Sequence, residues 1–281
     1  MKLGVTMFAT DYAMRPDDLA RACEERGFES VWFPEHTHIP TSLRTPPPIG
    51  DKVPRYLYHL HDLFVTLTAA AAVTKTIKVG SGVCLVVEHD PIILAKAVAS
   101  VDQLSGGRLL FGIGGGWNAE EMENHGTPFS RRWKVLRERV EAMKAIWAAE
   151  AAEYHGEFVN FDPIWCYPKP LQQPHPPIIL GTLSAKGFHR VVRYCDGWIP
   201  AGVSIQDLPA AIKDLHARAE QAGRKPSDVP VSVFGTPGEE ATLHRYQELR
   251  VERVVFTLPS RDREKVLPLL DQYTALLPVF A

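Results

Sequence analysis

Three short stretches hold the residues whose types and spacing could do chemistry. The apolar run SVWFPEH (30–36) ends on Glu35 and His36, with His38 two positions further on. A carboxylate beside an imidazole suits proton transfer near neutrality, and His-x-His is also a metal-ligand spacing. Residues 108–126 read RLLFGIGGGWNAEEMENHG, an apolar run broken by Gly114, Gly115 and Gly116 before an acidic, helical segment from Ala119. Glycines at a strand end, here and at Gly80-Ser81-Gly82, let a flat ring lie close to the backbone, while Trp117 and Asn118 can wall it and hydrogen-bond its edge. Gly181, Thr182 and Ser184 stand just before another helix, where free N–H groups and a hydroxyl favour an anion and Lys186 adds charge. Each feature has a plainer reading as well. The glycines make a tight turn, Ser184 caps a helix, Glu35 and His36 form a strand-end salt bridge or cap, and Glu120 and Glu121 are acids in a first helical turn.

Strand and helix alternate along the chain that must position these residues. Strand-like runs lie at 2–7, 30–36, 77–87, 109–113, 177–181, 196–202, 229–235 and 251–258. Helical patterns follow each of them, over 16–28, 61–74, 91–104, 133–150, 184–195, 208–223, 239–250 and 264–277. Eight such units in 281 residues fit an α/β fold of the (β/α)₈ TIM-barrel kind, read as one domain over 1–281. A doubly wound sheet is the competitor. Two segments break the rhythm: the Pro-rich 37–59, and 151–177, an insertion expected to form a hairpin or an ordered arm. In a TIM barrel the active site lies at the C-terminal ends of the strands, which is where the candidate residues fall.

Several chemistries can be set aside. Counting from Gly112, the sixth position of a G-x-G-x-x-G fingerprint is Trp117, and no Lys-Ser/Thr follows to make a P-loop. The later strand ends carry no His or Asp to complete a metal site with His36 and His38, so no metal is expected. A glycosidase would need a second carboxylate opposite Glu35, for which Glu120 and Glu121 are the nearby candidates. The net charge of −2, without long runs of one sign, gives no support to a nucleic-acid or membrane partner and leaves a small molecule as the expected one. Four scattered cysteines, an N-terminus unlike a signal peptide and no apolar run of membrane-spanning length point to a cytoplasmic protein.

Taken in order, SVWFPEH, IKVGSGVCLVVEHDP with its following helix, DQLSGGRLLFGIGGGWNAEEMENHGTPFSRR, YHGEFVNFD, PKPLQQPHPPIILGTLSAKGF and CDGWIP resemble the bacterial-luciferase-like monooxygenase superfamily. The likeness runs from residue 1 to about 200. The G-x-G-W-N-x-E-E version at 114–121 and the Glu-His strand end are most similar to the branch that uses the deazaflavin coenzyme F420 in place of FMN. The resemblance implies a flavin-type ring at the barrel mouth with a cis peptide at Gly82-Val83 behind it. It implies that Gly115, Gly116, Glu120 and Glu121 contact the cofactor and that Glu35 and His36 are the acid-and-imidazole pair. His36 is then the general acid/base for hydride transfer between F420 and a small organic substrate, and Glu35 orients the cofactor or tunes His36. With FMN the same site would serve an O₂-using monooxygenase; a cofactor-binding barrel without turnover is a third reading. Ala-rich helices at 61–74 and 91–104 are compatible with a homodimer.

Overall fold

In the computed structural model, which describes all residues except 43, 48, 49, 51, 183, 184, 201–203 and 237, the apolar runs become ten strands. In chain order these are β1 (Lys2–Met7), β2 (Ser30–Phe33), β3 (Lys78–Ser81), β4 (Leu109–Gly114), β5 (Ala152–His155), β6 (Asn160–Ile164), β7 (Ile178–Gly181), β8 (Gly197–Ile199), β9 (Ser232–Phe234) and β10 (Arg253–Leu258). Eight form one parallel sheet in the order β8-β7-β4-β3-β2-β1-β10-β9, and β5 and β6 pair as a separate antiparallel hairpin. The last strand lies beside the first along its whole length, from Lys2–Arg253 to Met7–Leu258. The two edges of the sheet also meet: Trp198 bridges Val231, and its N–H donates to Pro230 O at 3.0 Å. The result is a nearly closed TIM-barrel-like fold, and this cyclic order excludes the doubly wound alternative.

The strands alternate between two apolar environments, as parallel strands covered on both faces must. Trp32, Leu110, Ile179, Ile199 and Val255 point into the barrel. Their neighbours, such as Val31, Phe33, Leu109 and Phe111, point outward into the larger core under the helices. Trp32 fills the barrel because β3 offers a glycine beside it: a Cβ on Gly80 would lie 2.3 Å from the indole. The indole N–H donates to Ser30 Oγ at 2.8 Å, so burial leaves no orphaned donor, and truncation to Ala would cost about 3–5 kcal/mol. At the N-terminal end, Arg253 grips Glu29 through two 2.7 Å bonds.

The connecting helices are α1 (Pro16–Glu25), α2 (Leu63–Ala72), α3 (Pro91–Leu104), α4 (Ala119–Asn124), α5 (Arg132–Ala148), α6 (Phe188–Tyr194), α7 (Leu208–Gln221), α8 (Glu240–Glu248), α9 (Arg263–Thr274) and the terminal turn α10 (Leu277–Phe280). Local sequence starts them. Asp62 caps α2 through Val65 N–H, and Asp90 caps α3 through the N–H groups of Ile92 and Ile93, with Pro91 as the first helical residue. No described helix is long and apolar enough to cross a membrane. Val65, Ile93 and Leu104 leave apolar side chains exposed on α2 and α3.

One long expectation shortens. Of the strand expected over 77–87, only Lys78–Ser81 is strand; the Gly82–Val83 peptide is cis, and Val86–Glu88 is a 3₁₀ turn. Cys84, Leu85, Val86 and Val87 are all buried, and a buried turn carries the same apolar pattern as a buried strand. The helix expected over 184–195 likewise resolves into a 3₁₀ turn, Ala185–Gly187, followed by α6.

Candidate functional site

The C-terminal ends of the barrel strands open into a cavity of about 790 Å³, within the usual range for a small-molecule site. Its walls are mostly apolar: Phe8, Tyr56 and Leu57 on one side, Phe129 and Trp133 on another, and Ile199 and Phe234 below. Glu35, His36, Gly82, Val83, Gly114, Gly115, Gly116, Trp117, Gly181 and Thr182 all line it. A second hollow lies at the opposite end of the barrel, around Met1, Lys2 and Glu252, away from every candidate residue.

The glycines act partly through a neighbour. A Cβ on Gly114 would come 2.6 Å from Val83 Cγ2, and one on Gly181 3.2 Å from Val83 Cγ1. The cis-linked Val83 is therefore seated between β4 and β7 because both strands end in glycine, and it presents a small apolar surface to the cavity. Gly116 has φ +65°, which favours glycine where the chain turns into α4.

His36 is held from behind by a helix distant in sequence. Its Nδ1 lies 2.7 Å from Glu121 Oε2, while Thr37 N–H donates to Glu121 Oε1 at 3.0 Å. On the other side of the ring, Trp117 Nε1–H donates to His36 Nε2 at 3.3 Å. This network assigns the proton to Nδ1 and leaves Nε2 as an acceptor. The side chains of His36 and Glu121 are 7% and 1% exposed, so both polar groups depend on these partners.

The remaining acidic candidates serve other partners. Glu35 is turned away from His36: one oxygen accepts from Leu85 N–H at 2.6 Å and the other meets His89 Nε2 at 2.9 Å. Burial disfavours a charged His89, yet the Glu35 carboxylate and, further off, Asp62 hold its pKa above the ordinary imidazole value. Glu120 reaches the 37–59 segment, accepting from Thr45 Oγ1 at 2.7 Å, from Thr45 N–H at 3.0 Å and from Arg44 N–H. Burial works to raise this carboxyl, but those donors prevail and set it at about 2. Asn118 caps α4 by accepting from Glu121 N–H at 3.1 Å. Neither Glu120 nor Asn118 is among the residues lining the cavity.

The expected anion site at 181–186 is distributed differently. Thr182 N–H is already donated to Ile199 O at 3.2 Å, and Ser184 lies outside the described residues. Lys186 does line the cavity, and it is joined there by Arg132 and Arg190, which the sequence did not single out. Among the described residues neither arginine has an acidic partner, and Arg132 Nε is buried without any. Burial lowers the pKa of both, and the Arg190 charge lowers that of Arg132 further. Two half-buried cations without a counter-charge, Arg132 over Phe129 and Arg190 over Trp133, favour an anion near them. A signal was present: α5 opens on Arg132 with no acid in its first turn, against the helix dipole. His89 and Leu85 were missed because they meet Glu35 from 54 and 50 positions away.

The metal-like spacing of His36 and His38 separates in space, since His38 turns to Thr37 Oγ1 and Asn124. Among the described residues one trio, Glu35, Cys84 and His89, comes within 4.8 Å. Glu35 is already satisfied there, and burial pushes the Cys84 thiol well up, which works against the thiolate a metal would need. The cavity fits instead a group with a flat, partly apolar ring and an anionic tail, with Val83 and the glycines against the ring and Arg132, Arg190 and Lys186 near the tail.

Comparison with known proteins gives the family and agrees with the fold. A sequence profile of the family described as luciferase-like monooxygenase matches residues 11–253, well past the region where the sequence motifs stop. An uncharacterized protein of Mycobacterium tuberculosis is 41% identical over 99% of both chains. The FMNH(2)-dependent dimethylsulfone monooxygenase of Pseudomonas putida is 31% identical over 58% of this chain and 46% of its own. Among solved structures, the monooxygenase RslO1 from Streptomyces bottropensis superposes with a TM-score of 0.80 at 20% identity, covering both chains fully. An F420-dependent secondary alcohol dehydrogenase in complex with an F420-acetone adduct superposes at 0.77 and 18% identity, again covering both chains. At those identities the structures speak for the fold.

Proposed function

The chain belongs to the luciferase-like monooxygenase family and is a flavin- or deazaflavin-dependent oxidoreductase, and from that premise we propose that its cofactor is coenzyme F420 and its reaction a hydride transfer. The observation that carries the proposal is His36, a cavity-lining imidazole fixed by Glu121 at 2.7 Å. When bound, F420 supplies or accepts the hydride. A hydride leaving or reaching a substrate carbon must be accompanied by a proton, and in this reading His36 takes or gives it at Nε2, the acceptor nitrogen that Trp117 Nε1–H otherwise occupies. Glu121 holds the Nδ1 proton and fixes the ring. Arg132, Arg190 and Lys186 would hold the anionic tail and Val83 would lie against the ring, while the aromatic walls would keep water from the reacting groups.

The substrate in this proposal is a small organic molecule, with neither nucleic acid nor membrane as partner. Four buried free cysteines suit a reducing, cytoplasmic setting, and the exposed Val65, Ile93 and Leu104 of α2 and α3 offer apolar surface for a homodimer. Fluorescence-quenching titrations with F420 and FMN test the cofactor. Tight binding of F420 with none of FMN is expected; binding of FMN alone overturns the proposal. The second reading, an FMN-dependent monooxygenase, draws support from the likeness to the Pseudomonas putida enzyme.

A further inference from the structure

Behind the His36 wall of the cavity, in the 3₁₀ turn Val86–Glu88, lies a carboxyl group to which the proposed reaction gives no part. The Glu88 side chain has 0% exposure, and as a carboxylate neither of its oxygens has a hydrogen-bond partner among the described residues. A buried charge without partners is strongly disfavoured, and such a group takes up a proton instead. The charged groups facing it come from every side. Glu121 of α4 is within hydrogen-bonding reach, Glu35 after β2 adds a second negative charge, and Arg139 of α5 a positive one. His125, just past α4, has Nε2 4.0 Å from Glu88 Oε2, and the Cys84 thiol also feels the Glu88 charge. Arg139 is partly committed, donating to Val86 O at 3.0 Å. Burial first, and then the Glu121 and Glu35 charges, push Glu88 up to about 9.

Two neighbouring carboxyls hold one proton between them, and their other partners decide which keeps it. Glu121 already accepts from Thr37 N–H and His36 Nδ1–H, whereas Glu88 accepts from nothing. The proton therefore rests on Glu88, which becomes a donor to the Glu121 carboxylate. The orphaned oxygens and the nearness to Glu121 are then one fact, because the two groups can hydrogen-bond only when one is protonated.

We propose that Glu88 is a positioning residue for His36: the Glu88 proton, shared with Glu121, keeps one negative charge instead of two behind the imidazole, so that a proton taken up at Nε2 can be released again. This rests on the reading of His36 as the group that exchanges a proton with substrate. With both carboxyls ionised, the imidazolium would be held charged; with the shared proton in place, the pull of Glu121 on His36 is weakened.

Infrared spectra of the full chain in H₂O and D₂O, with no cofactor added, read a protonated carboxyl directly. The expected result is a D₂O-sensitive carboxyl band at neutral pH that fades as the pH passes about 9 and is missing from Glu88→Gln. An NMR titration of His36 gives the second readout. Glu88→Gln keeps a donor toward Glu121 and leaves the His36 midpoint in place, whereas Glu88→Ala raises it. Absence of the band at neutral pH, its survival in Glu88→Gln, or an unmoved His36 midpoint in folded Glu88→Ala overturns the proposal. If Glu88→Ala does not fold, the infrared comparison decides alone. Neither readout involves turnover, so both are independent of the F420 titrations.

Discussion

His36 and Glu121 stand 85 positions apart in the chain and meet at 2.7 Å between Nδ1 and Oε2, bringing the end of β2 against the first turn of α4. The contact assigns the ring proton to Nδ1 and leaves Nε2 as the acceptor. His36→Ala removes the proton carrier and is expected to lower substrate-dependent cofactor turnover by about 10²–10⁴-fold. Glu121→Gln keeps the shape but reverses the preferred tautomer, since its amide can donate to Nδ1, and is expected to lower turnover with little change in cofactor affinity. Steady-state kinetics beside quenching titrations check both variants; full turnover in His36→Ala would remove it from the chemistry.

Arg132 and Arg190 lack acidic partners among the described residues and both line the cavity. Each charge-assisted bond to an anionic tail contributes about 1.5–3 kcal/mol, so Arg132→Met or Arg190→Met should weaken cofactor binding roughly 10- to 100-fold. The loss should be larger in dilute salt than in concentrated salt. Titrations at two ionic strengths measure it.

Local signals in the sequence carry most of the barrel, and the features they miss have physical causes. Burial patterns with Pro, Asp and Gly punctuation marked the eight strand–helix units, because Asp62, Asp90 and Pro91 act on their own neighbours. The pattern failed at 82–88, where a buried cis-linked segment and a 3₁₀ turn are as apolar as a strand. At the mouth, strand-end position singled out His36, Gly82 and Gly114–Gly116, and the family resemblance Val83, all of which line the cavity. It could not say which acid meets which imidazole. Glu35 and Glu121 each sit near a histidine, but the pairs Glu35–His89 and Glu121–His36 are set by the packing of α4 and the 86–88 turn against β2. Asn118 and Glu120 looked like ligand contacts because helix caps and loop anchors use the same polar residues at the same positions.

Glu120 ties the 37–59 segment to α4 through Thr45 and the Arg44 amide. Its carboxyl sits at about 2 instead of 4.5, so the anchor is complete above about 4.5 and is lost as the pH falls toward about 2. Glu120→Ala should release the segment at neutral pH in the way acid releases it in the unaltered protein. Limited proteolysis and hydrogen exchange over residues 37–59 should show faster cleavage and exchange in the variant; equal protection in both proteins would mean that other contacts hold the segment.

Glu88 has the opposite sign. Its carboxyl is raised from 4.5 to about 9, so between those values the folded protein holds a proton that the unfolded chain has released. Its contribution to stability is intact below about 4.5 and declines as the pH rises, by up to about 1.4 kcal/mol per pH unit, until the folded group also ionises. Glu88→Gln has no proton to lose and keeps a donor for Glu121. The variant should therefore gain stability relative to the unaltered protein as pH increases through this window. Urea unfolding at a series of pH values, with no cofactor present, measures the difference; two parallel stability curves would mean that Glu88 is ionised in the folded chain at neutral pH and that Glu121 and Glu35 tolerate a third buried negative charge beside them.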